Sequence, residues 1–413
     1  MATAVSTLYP DASEIRDGRL LVGGCDAAEL AREFGTPLYV VAEDDLRARA
    51  REFRAAMRGE VVFASKAFPC TAVLRVFEQE GLSVDVASAG ELALARRAGF
   101  GGERIVVHGN AKSEAELRAA VAVGARIVVD NFDELDRLDA IGEPATVMLR
   151  VTPGVEAETH EKILTGHAGS KFGFLLADAP RAIERTRAAA WARLRGLHIH
   201  IGSQLFDLAP WRAAVAAIAE LGDFEAYDLG GGLAVAYTAA QRPPSVAEYV
   251  GAMVATADEL LGSGKALSIE PGRSLVAAAG VTLYTVESVK DIELADGPLR
   301  FVAVDGGMSD NLRPMLYDAP YAADLVDRVG AVGTPCTIVG KHCESGDVLV
   351  RSAALAEPAA GDVLATPVTG AYVYAMANNY NGVPRPPVVF CSGGRARLVV
   401  RRETFEDLHG RDV

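Results

Sequence analysis

The sequence predicts a TIM-like (β/α)8 barrel joined to a β-rich second domain. Three observations predict it. Short β-branched or apolar runs alternate with Ala/Leu/Arg/Glu segments of helical spacing from residue 36 to 285. Residues with usable chemistry recur at the ends of the apolar runs. After residue 285 the helical segments thin out and strand-like runs separated by turns take over. Strand and helix in strict alternation imply a parallel sheet covered by helices. Roughly eight such units in about 250 residues match a closed barrel, with an open doubly wound sheet as the rival. The barrel is favoured because Lys66, Asp85, His108, His200, Gly230–Gly232 and Glu270 come from many strand ends. A barrel collects such residues at one mouth, whereas an open sheet concentrates them at one switch point.

Taken in order, the first 35 residues contain the strand-like "RLLVGG" and are assigned to the second domain. The predicted barrel strands follow as "PLYVVA", "VVFASK", "SVDVAS", "RIVVH", "RIVVD", "TVMLRV", "RGLHIHIG", "AYDLGGG" and "ALSIEPG". Between them lie helical segments such as "DDLRARAREFRAAMR", "GELALARRAG", "SEAELRAAVAVG" and "APWRAAVAAIAELG". Beyond the barrel, "VTLYTVESVKDI", "LRFVAVDGG", "TPCTIVGKHC" and "ARLVVRRETF" read as strands, and "LAEPAAGD" as a turn-rich loop. The boundaries are therefore 36–285 for the barrel, and 1–35 with 286–413 for the β-rich domain.

Composition narrows the function classes. Half of the 413 residues are hydrophobic, and the formal net charge is −14. A nucleic acid or an anionic membrane would want a basic face, so neither is expected as a partner. The N-terminus lacks the basic-then-apolar pattern of a signal peptide, and no apolar run is long enough to cross a bilayer. Five scattered cysteines, an odd number, suit a reduced cytoplasm better than a disulfide framework. There is no Cys-x-x-Cys pair, and the seven histidines lack helical metal spacing, so no metal site is expected.

Four segments carry chemistry. Lys66 ends the apolar run "VVFASKAF". A lysine there belongs at a cavity mouth, in an ion pair, in covalent use, or simply snorkelling. A desolvated lysine amine is also how enzymes form Schiff bases with carbonyl cofactors. His198 and His200 alternate with apolar residues in "GLHIHIGSQ", which on a strand puts both on one side. An imidazole there can stack on a planar ring or titrate; a satisfied core histidine is the bland alternative. Gly230, Gly231 and Gly232 follow a strand, so their backbone N–H groups can converge on an anion, or simply form a tight turn. Glu270, in "SIEPGRSLV", could hold a proton on a heterocyclic nitrogen or form a local ion pair. A fifth stretch, "GKHCESGDVL", sets the thiol of Cys343 beside the carboxylate of Glu344. It could be a nucleophile, a metal site, a proton donor or an ordinary turn.

An amine, a stacking ring, a phosphate cradle and a carboxylate together are what pyridoxal phosphate requires. With "FASKAF", "GLSVDVASAGEL", "VVHGNAKS", "HEKILTGHAGSKFGF", "VDGGMSDNLRPMLYDA", "KHCESGD" and "VTGAYVYAMANNYN", the chain resembles the fold-type III pyridoxal-phosphate decarboxylases, in particular those acting on diaminopimelate. The match runs through nearly the whole chain and departs from the family pattern at Thr152 and Ala89, neither of which has a named role. The resemblance implies that Lys66 bonds pyridoxal 5'-phosphate, that His200 stacks on its ring and that Glu270 meets its nitrogen. It implies that Gly230–Gly232, Gly272, Arg273 and Tyr372 hold the phosphate and that Ser203 supports the cofactor. Arg273, Arg313, Tyr317 and Tyr372 would meet the substrate, mainly at its distal carboxylate, and Glu344 its distal ammonium. Lys66, His200 and Cys343 would be the catalytic residues, with Cys343 returning the proton, since a thiol is largely protonated near neutral pH. Cys343 and Glu344 are expected in the neighbouring subunit's site, making the working unit a homodimer. The implied reaction converts meso-2,6-diaminopimelate to L-lysine and carbon dioxide, the last step of lysine biosynthesis. The alternative is a paralogous decarboxylase of another basic or carrier-linked amino acid. A non-catalytic relative would have lost Lys66 or Cys343, and a racemase of the related barrel class would lack "CESGD" and "RPMLY".

Overall fold

The structure, a computed structural model, describes residues 8–154, 169–295 and 297–413. Most of "HEKILTGHAGSKFGF" lies outside the described residues. The chain divides into two compact units. One comprises residues 47–234 and 242–275, and the other residues 1–46, 235–241 and 276–413.

The first unit is a closed parallel barrel. Its strands are Glu60–Ala64, Ser83–Val86, Ile105–Val107, Arg126–Val129, Ala145–Thr152, Ala192–His198, Ala226–Asp228 and Ala266–Ile269. Each pairs in parallel with the next. Closure comes from the last strand returning to the first, with Ser268 opposite Glu60 and Ile269 opposite Val61. Helices Thr71–Gln79, Ala89–Ala98, Glu114–Ala122, Phe132–Ile141, Ala179–Ala188, Ala209–Ala219 and Val246–Leu261 connect the strands in turn. Their starts are written in the sequence. Ser113 with Glu116, and Ser245 with Glu248, form reciprocal capping boxes that satisfy the otherwise orphaned first amides. Inside the barrel, Val62, Val106, Val128, Met148 and Ala226 pack as one buried layer.

The expected barrel strand "PLYVVA" belongs elsewhere. Leu38–Ala42 lies in the other unit, antiparallel to the long strand Gly280–Leu294 and parallel to Val388–Ser392. All five of its residues are buried. A fully buried strand looks the same in a barrel as in the centre of a mixed sheet, so the pattern could not name its partners. The barrel's first strand is Glu60–Ala64.

The second unit is built on a nine-stranded sheet. Its main path runs Val348–Leu355, Thr334–Val339, Gly297–Val304, Gly280–Leu294, Leu38–Ala42, Val388–Ser392 and Arg395–Val400. Val363–Pro367 also pairs with Gly280–Leu294. "RLLVGG" supplies Arg19–Val22, the middle strand of a separate three-stranded sheet. The buried core joins Leu20, Val22, Leu38, Val40, Val281, Leu283 and Val389.

Candidate active site

In the barrel unit, the residues singled out in the sequence sit at or just past the C-terminal ends of strands, with Asp85 and His198 still inside theirs. Lys66 lies in a short 3-10 turn, Ser65–Ala67, directly after the first strand. Its two neighbours are buried while its own side chain is exposed. Its charge is felt by Asp85 and His200.

Glu270 follows the last strand and is buried. Its Oε1 lies 2.6 Å from His108 Nε2 and its Oε2 lies 3.1 Å from His198 Nε2. Burial pushes the Glu270 carboxyl up, but the two imidazoles outweigh that and hold it well below the usual carboxyl range. The histidines divide the work. Burial lowers His108, yet Glu270 and Asp85 overcome this and raise it. Burial dominates at His198 and brings it to about 4, so its ring is neutral. Neutral His198 donates from Nε2, and its buried Nδ1 has no partner among the described residues. These three side chains form a group of potential metal ligands within 4.8 Å of one another. They come from three different strand ends, which is why no spacing in the sequence revealed them. Their ligand atoms already face each other in hydrogen bonds.

The glycine turn does more than the sequence suggested. Gly230 N–H donates to Asp228 Oδ1 at 2.9 Å, and Ser268 Oγ–H donates to Asp228 Oδ2 at 2.7 Å. Gly231 N–H donates to His200 Nδ1 at 3.2 Å. Glu270 N–H donates to Gly230 O at 2.8 Å. The turn is thus stitched to the strands on either side. Two of the three amides expected to cradle an anion are spent inside the protein. Gly230 has φ +67°, and a Cβ on Gly231 would lie 2.1 Å from the Glu270 carbonyl oxygen. The bond from Gly231 fixes the His200 tautomer with its proton on Nε2. Burial, with the Lys66 charge, pulls His200 well below its ordinary value, leaving a neutral ring. The strand ends at His198, so alternation does not extend to His200, and the two rings take different partners.

Ser203 and Arg273 are brought together as well. Arg273 Nε and Nη2 donate to Ser203 Oγ at 3.3 and 3.1 Å. Gly272 packs its Cα side against Ala64 at the foot of the same turn. Asp85 is buried, and burial raises it to about 6 against the opposing charges of His108 and Lys66. Asp228 and the partnership of His198 with Glu270 were missed in the sequence. An aspartate closing an apolar strand reads there as an ordinary strand end.

The remaining predicted residues are in the second unit. Arg313 opens the short helix Arg313–Tyr317 and is buried. Its guanidinium lies 4.4 Å from the Tyr237 ring centroid and donates to the Tyr321 hydroxyl. Among the described residues it has no carboxylate partner, and its buried Nε has no hydrogen bond. Burial opposes its charge, but the electron-rich oxygens of Tyr237, Tyr321 and Tyr372 raise its pKa. Tyr317 is half-buried at the end of the same helix. Tyr372 is half-buried with φ +59°, a left-handed conformation that costs a tyrosine energy. Cys343 and Glu344 are both exposed, on the loop that follows strand Thr334–Val339.

Residues 43–277 match the family model described as "Pyridoxal-dependent decarboxylase, pyridoxal binding domain". A diaminopimelate decarboxylase from Actinosynnema pretiosum is 49% identical, over 98% of this chain and 95% of its own. One from Bacillus subtilis is 45% identical over 97% of each chain. Among solved structures, the diaminopimelate decarboxylase of M. jannaschii in complex with L-lysine superimposes with a TM-score of 0.90. That pair shares 34% identity over 98% of both chains.

Proposed function

The chain belongs to the pyridoxal-dependent decarboxylase family, and from that premise we propose that it removes one carboxylate from meso-2,6-diaminopimelate, giving L-lysine and carbon dioxide. The observation that carries this reading is Glu270, buried and kept ionised by two imidazoles at a barrel mouth that also carries Lys66. A carboxylate accepts at about four lone-pair positions. The two imidazole contacts leave room for one more donor, the protonated nitrogen of a pyridine ring. The neutral, tautomerically fixed His200 suits stacking, and the exposed Lys66 amine suits an aldehyde. The residues therefore fit pyridoxal 5'-phosphate, which, when bound, supplies the electron sink for the pair left by the departing carboxylate.

The protein's own part is as follows. Lys66 would hold the cofactor covalently through its amine. Glu270 keeps the ring nitrogen protonated, which deepens the sink. Gly232, Gly272, Arg273 and Tyr372 serve the phosphate, while Gly230 and Gly231 shape the turn and orient His200. Ser203 supports this face through Arg273. Arg313, with Tyr317, takes the substrate's distal carboxylate; a buried guanidinium with no carboxylate partner among the described residues supports that role. Glu344 takes the distal ammonium, and Cys343 returns a proton to the reacting carbon. Their exposure on one chain suits a homodimer in which each copy lends them to the other. A substrate lacking the second amino-acid end would strand these charges, which is a strong discriminator. The scattered, odd-numbered cysteines support a cytoplasmic setting.

The test has two parts. Chain supplied with pyridoxal phosphate should turn yellow, and borohydride should then trap the cofactor on the wild type but not on Lys66→Ala. Carbon dioxide release should be seen with meso-diaminopimelate and not with lysine, ornithine or arginine. A colourless wild type, or faster release from one of the other three, would overturn the reading.

A further inference from the structure

The segment "NNYNG", Asn378–Gly382, grips the loop that carries Cys343 and Glu344. Asn381 sits in the left-handed region at φ +53°, a conformation asparagine tolerates better than most residues but still at a cost. What that conformation delivers is its side-chain oxygen. Asn381 Oδ1 accepts the backbone N–H of Cys343 at 3.3 Å and lies 3.1 Å from His342 Nδ1. Because an amide oxygen only accepts, Nδ1 carries the histidine's proton. His342 Nε2 then accepts from Ser309 Oγ, 2.9 Å away. One residue earlier, the Tyr380 hydroxyl donates to Glu344 Oε1. The grip is itself anchored: Asn378 N–H donates to Ser309 O at 2.8 Å, and Tyr380 N–H to Asn378 Oδ1 at 3.0 Å. From the other side the loop is held by buried Asp347, which accepts from Met308 N–H at 2.7 Å and His342 N–H at 3.0 Å.

We propose that Tyr380 and Asn381 are positioning residues for the reaction. Tyr380 aims the Glu344 carboxylate at the distal ammonium of the substrate, and Asn381 sets the height of the Cys343 thiol. The inference rests on the roles given above to Cys343 and Glu344. It adds that substrate choice and proton return are adjusted separately, by two adjacent side chains that touch no reacting atom. Removing the Tyr380 hydroxyl leaves the Glu344 carboxyl group in place but loosely aimed, so binding suffers more than turnover. Removing the Asn381 oxygen frees the Cys343 amide, so turnover suffers more than binding.

The two halves are separable by experiment. Tyr380→Phe should raise KM for meso-diaminopimelate about fivefold or more with kcat held within about twofold. Asn381→Ala should lower kcat about tenfold, within the range seen when a residue that orients a catalytic group is lost. A readout independent of turnover comes from the thiol itself. Cys343 is exposed and the other four cysteines are buried, so its alkylation by iodoacetamide, followed by mass spectrometry, reports this loop alone. Asn381→Ala should speed that alkylation roughly threefold or more as the loop loosens. Asn381→Gly keeps the left-handed backbone at no cost but removes the oxygen, and it should behave like Asn381→Ala. If Asn381→Gly behaves like the wild type, the residue serves the backbone turn and its half of the inference fails. Unchanged KM in Tyr380→Phe sinks the other half. Cys343→Ala with full turnover would instead sink the proton-return role itself, an outcome the alkylation rates do not depend on.

Discussion

At the scale of single residues, the site turns on carboxylates whose charge is set by their neighbours. Glu270 and Asp228 flank one turn, yet they are driven in opposite directions. The imidazoles hold Glu270 ionised, whereas burial, reinforced by the Glu270 charge, pushes Asp228 up to about 7. An acid whose folded pKa lies above its unfolded value of about 3.9 binds extra protons on folding between those two pH values. Its stabilising contribution is complete below about pH 4 and is lost as the pH rises through about 7. Asp228→Asn removes that loss while keeping an acceptor for the Gly230 amide. Its melting temperature relative to wild type should therefore climb between pH 5 and pH 7 and then level off, as measured by thermal melts across that window. Asp228→Ala keeps no acceptor, so it should bind pyridoxal phosphate about tenfold more weakly than Asp228→Asn. Equal affinities would show that the turn holds itself. Lys66, His200 and Glu270 were legible because each interrupts an apolar run with a group expensive to bury. Asp228 and the pairing of His198 with Glu270 were not, because their significance lies in partners contributed by other strands.

At the scale of elements, the glycine turn and the strand that precedes it show what a sequence pattern can and cannot carry. Eight of the nine apolar runs became barrel strands in their expected order. Burial on both faces makes such strands continuous and easy to see. The ninth, "PLYVVA", is equally buried and went to a different sheet, since hydrophobic texture specifies burial and not pairing. The triplet "GGG" was legible as a turn, but its bonding was not. The amides point where Asp228 and His200 put acceptors, and only the fold brings those acceptors near. The tightness at Gly231 is testable. A methyl there meets the Glu270 backbone and not the far end of a flexible side chain, so the turn itself must move. Gly231→Ala should cost about 1–3 kcal/mol in urea unfolding. It should also weaken cofactor binding, because the displaced turn carries the His200 tautomer with it. A full-strength Gly231→Ala protein would mean that Glu270 and the turn can separate freely.

At the scale of the whole molecule, the proposed chemistry draws on two compact units of one chain, with Lys66 in one and Cys343 in the other. Neither the covalent link nor the proton return stands alone in this reading, and the Cys343 loop is taken to work on the neighbouring copy. Symmetry makes that claim countable. If sites are shared across a dimer of identical chains, each takes Lys66 from one copy and Cys343 from its mate. A Lys66→Ala homodimer lacks the amine at both sites, and a Cys343→Ala homodimer lacks the thiol at both. In a mixed dimer, one site receives both defects and the other receives neither. Random exchange of equal amounts makes half the dimers mixed, and half of their sites are intact. The mixture should therefore recover roughly a quarter of wild-type turnover from two nearly inactive parents. If each chain completed its own site, every site in the mixture would still carry one defect. Turnover would then stay at the average of the parents, whatever the exchange. The measurement is carbon dioxide release before and after the two variants are allowed to exchange subunits. Tagging one variant and recovering the mixed species confirms that exchange took place.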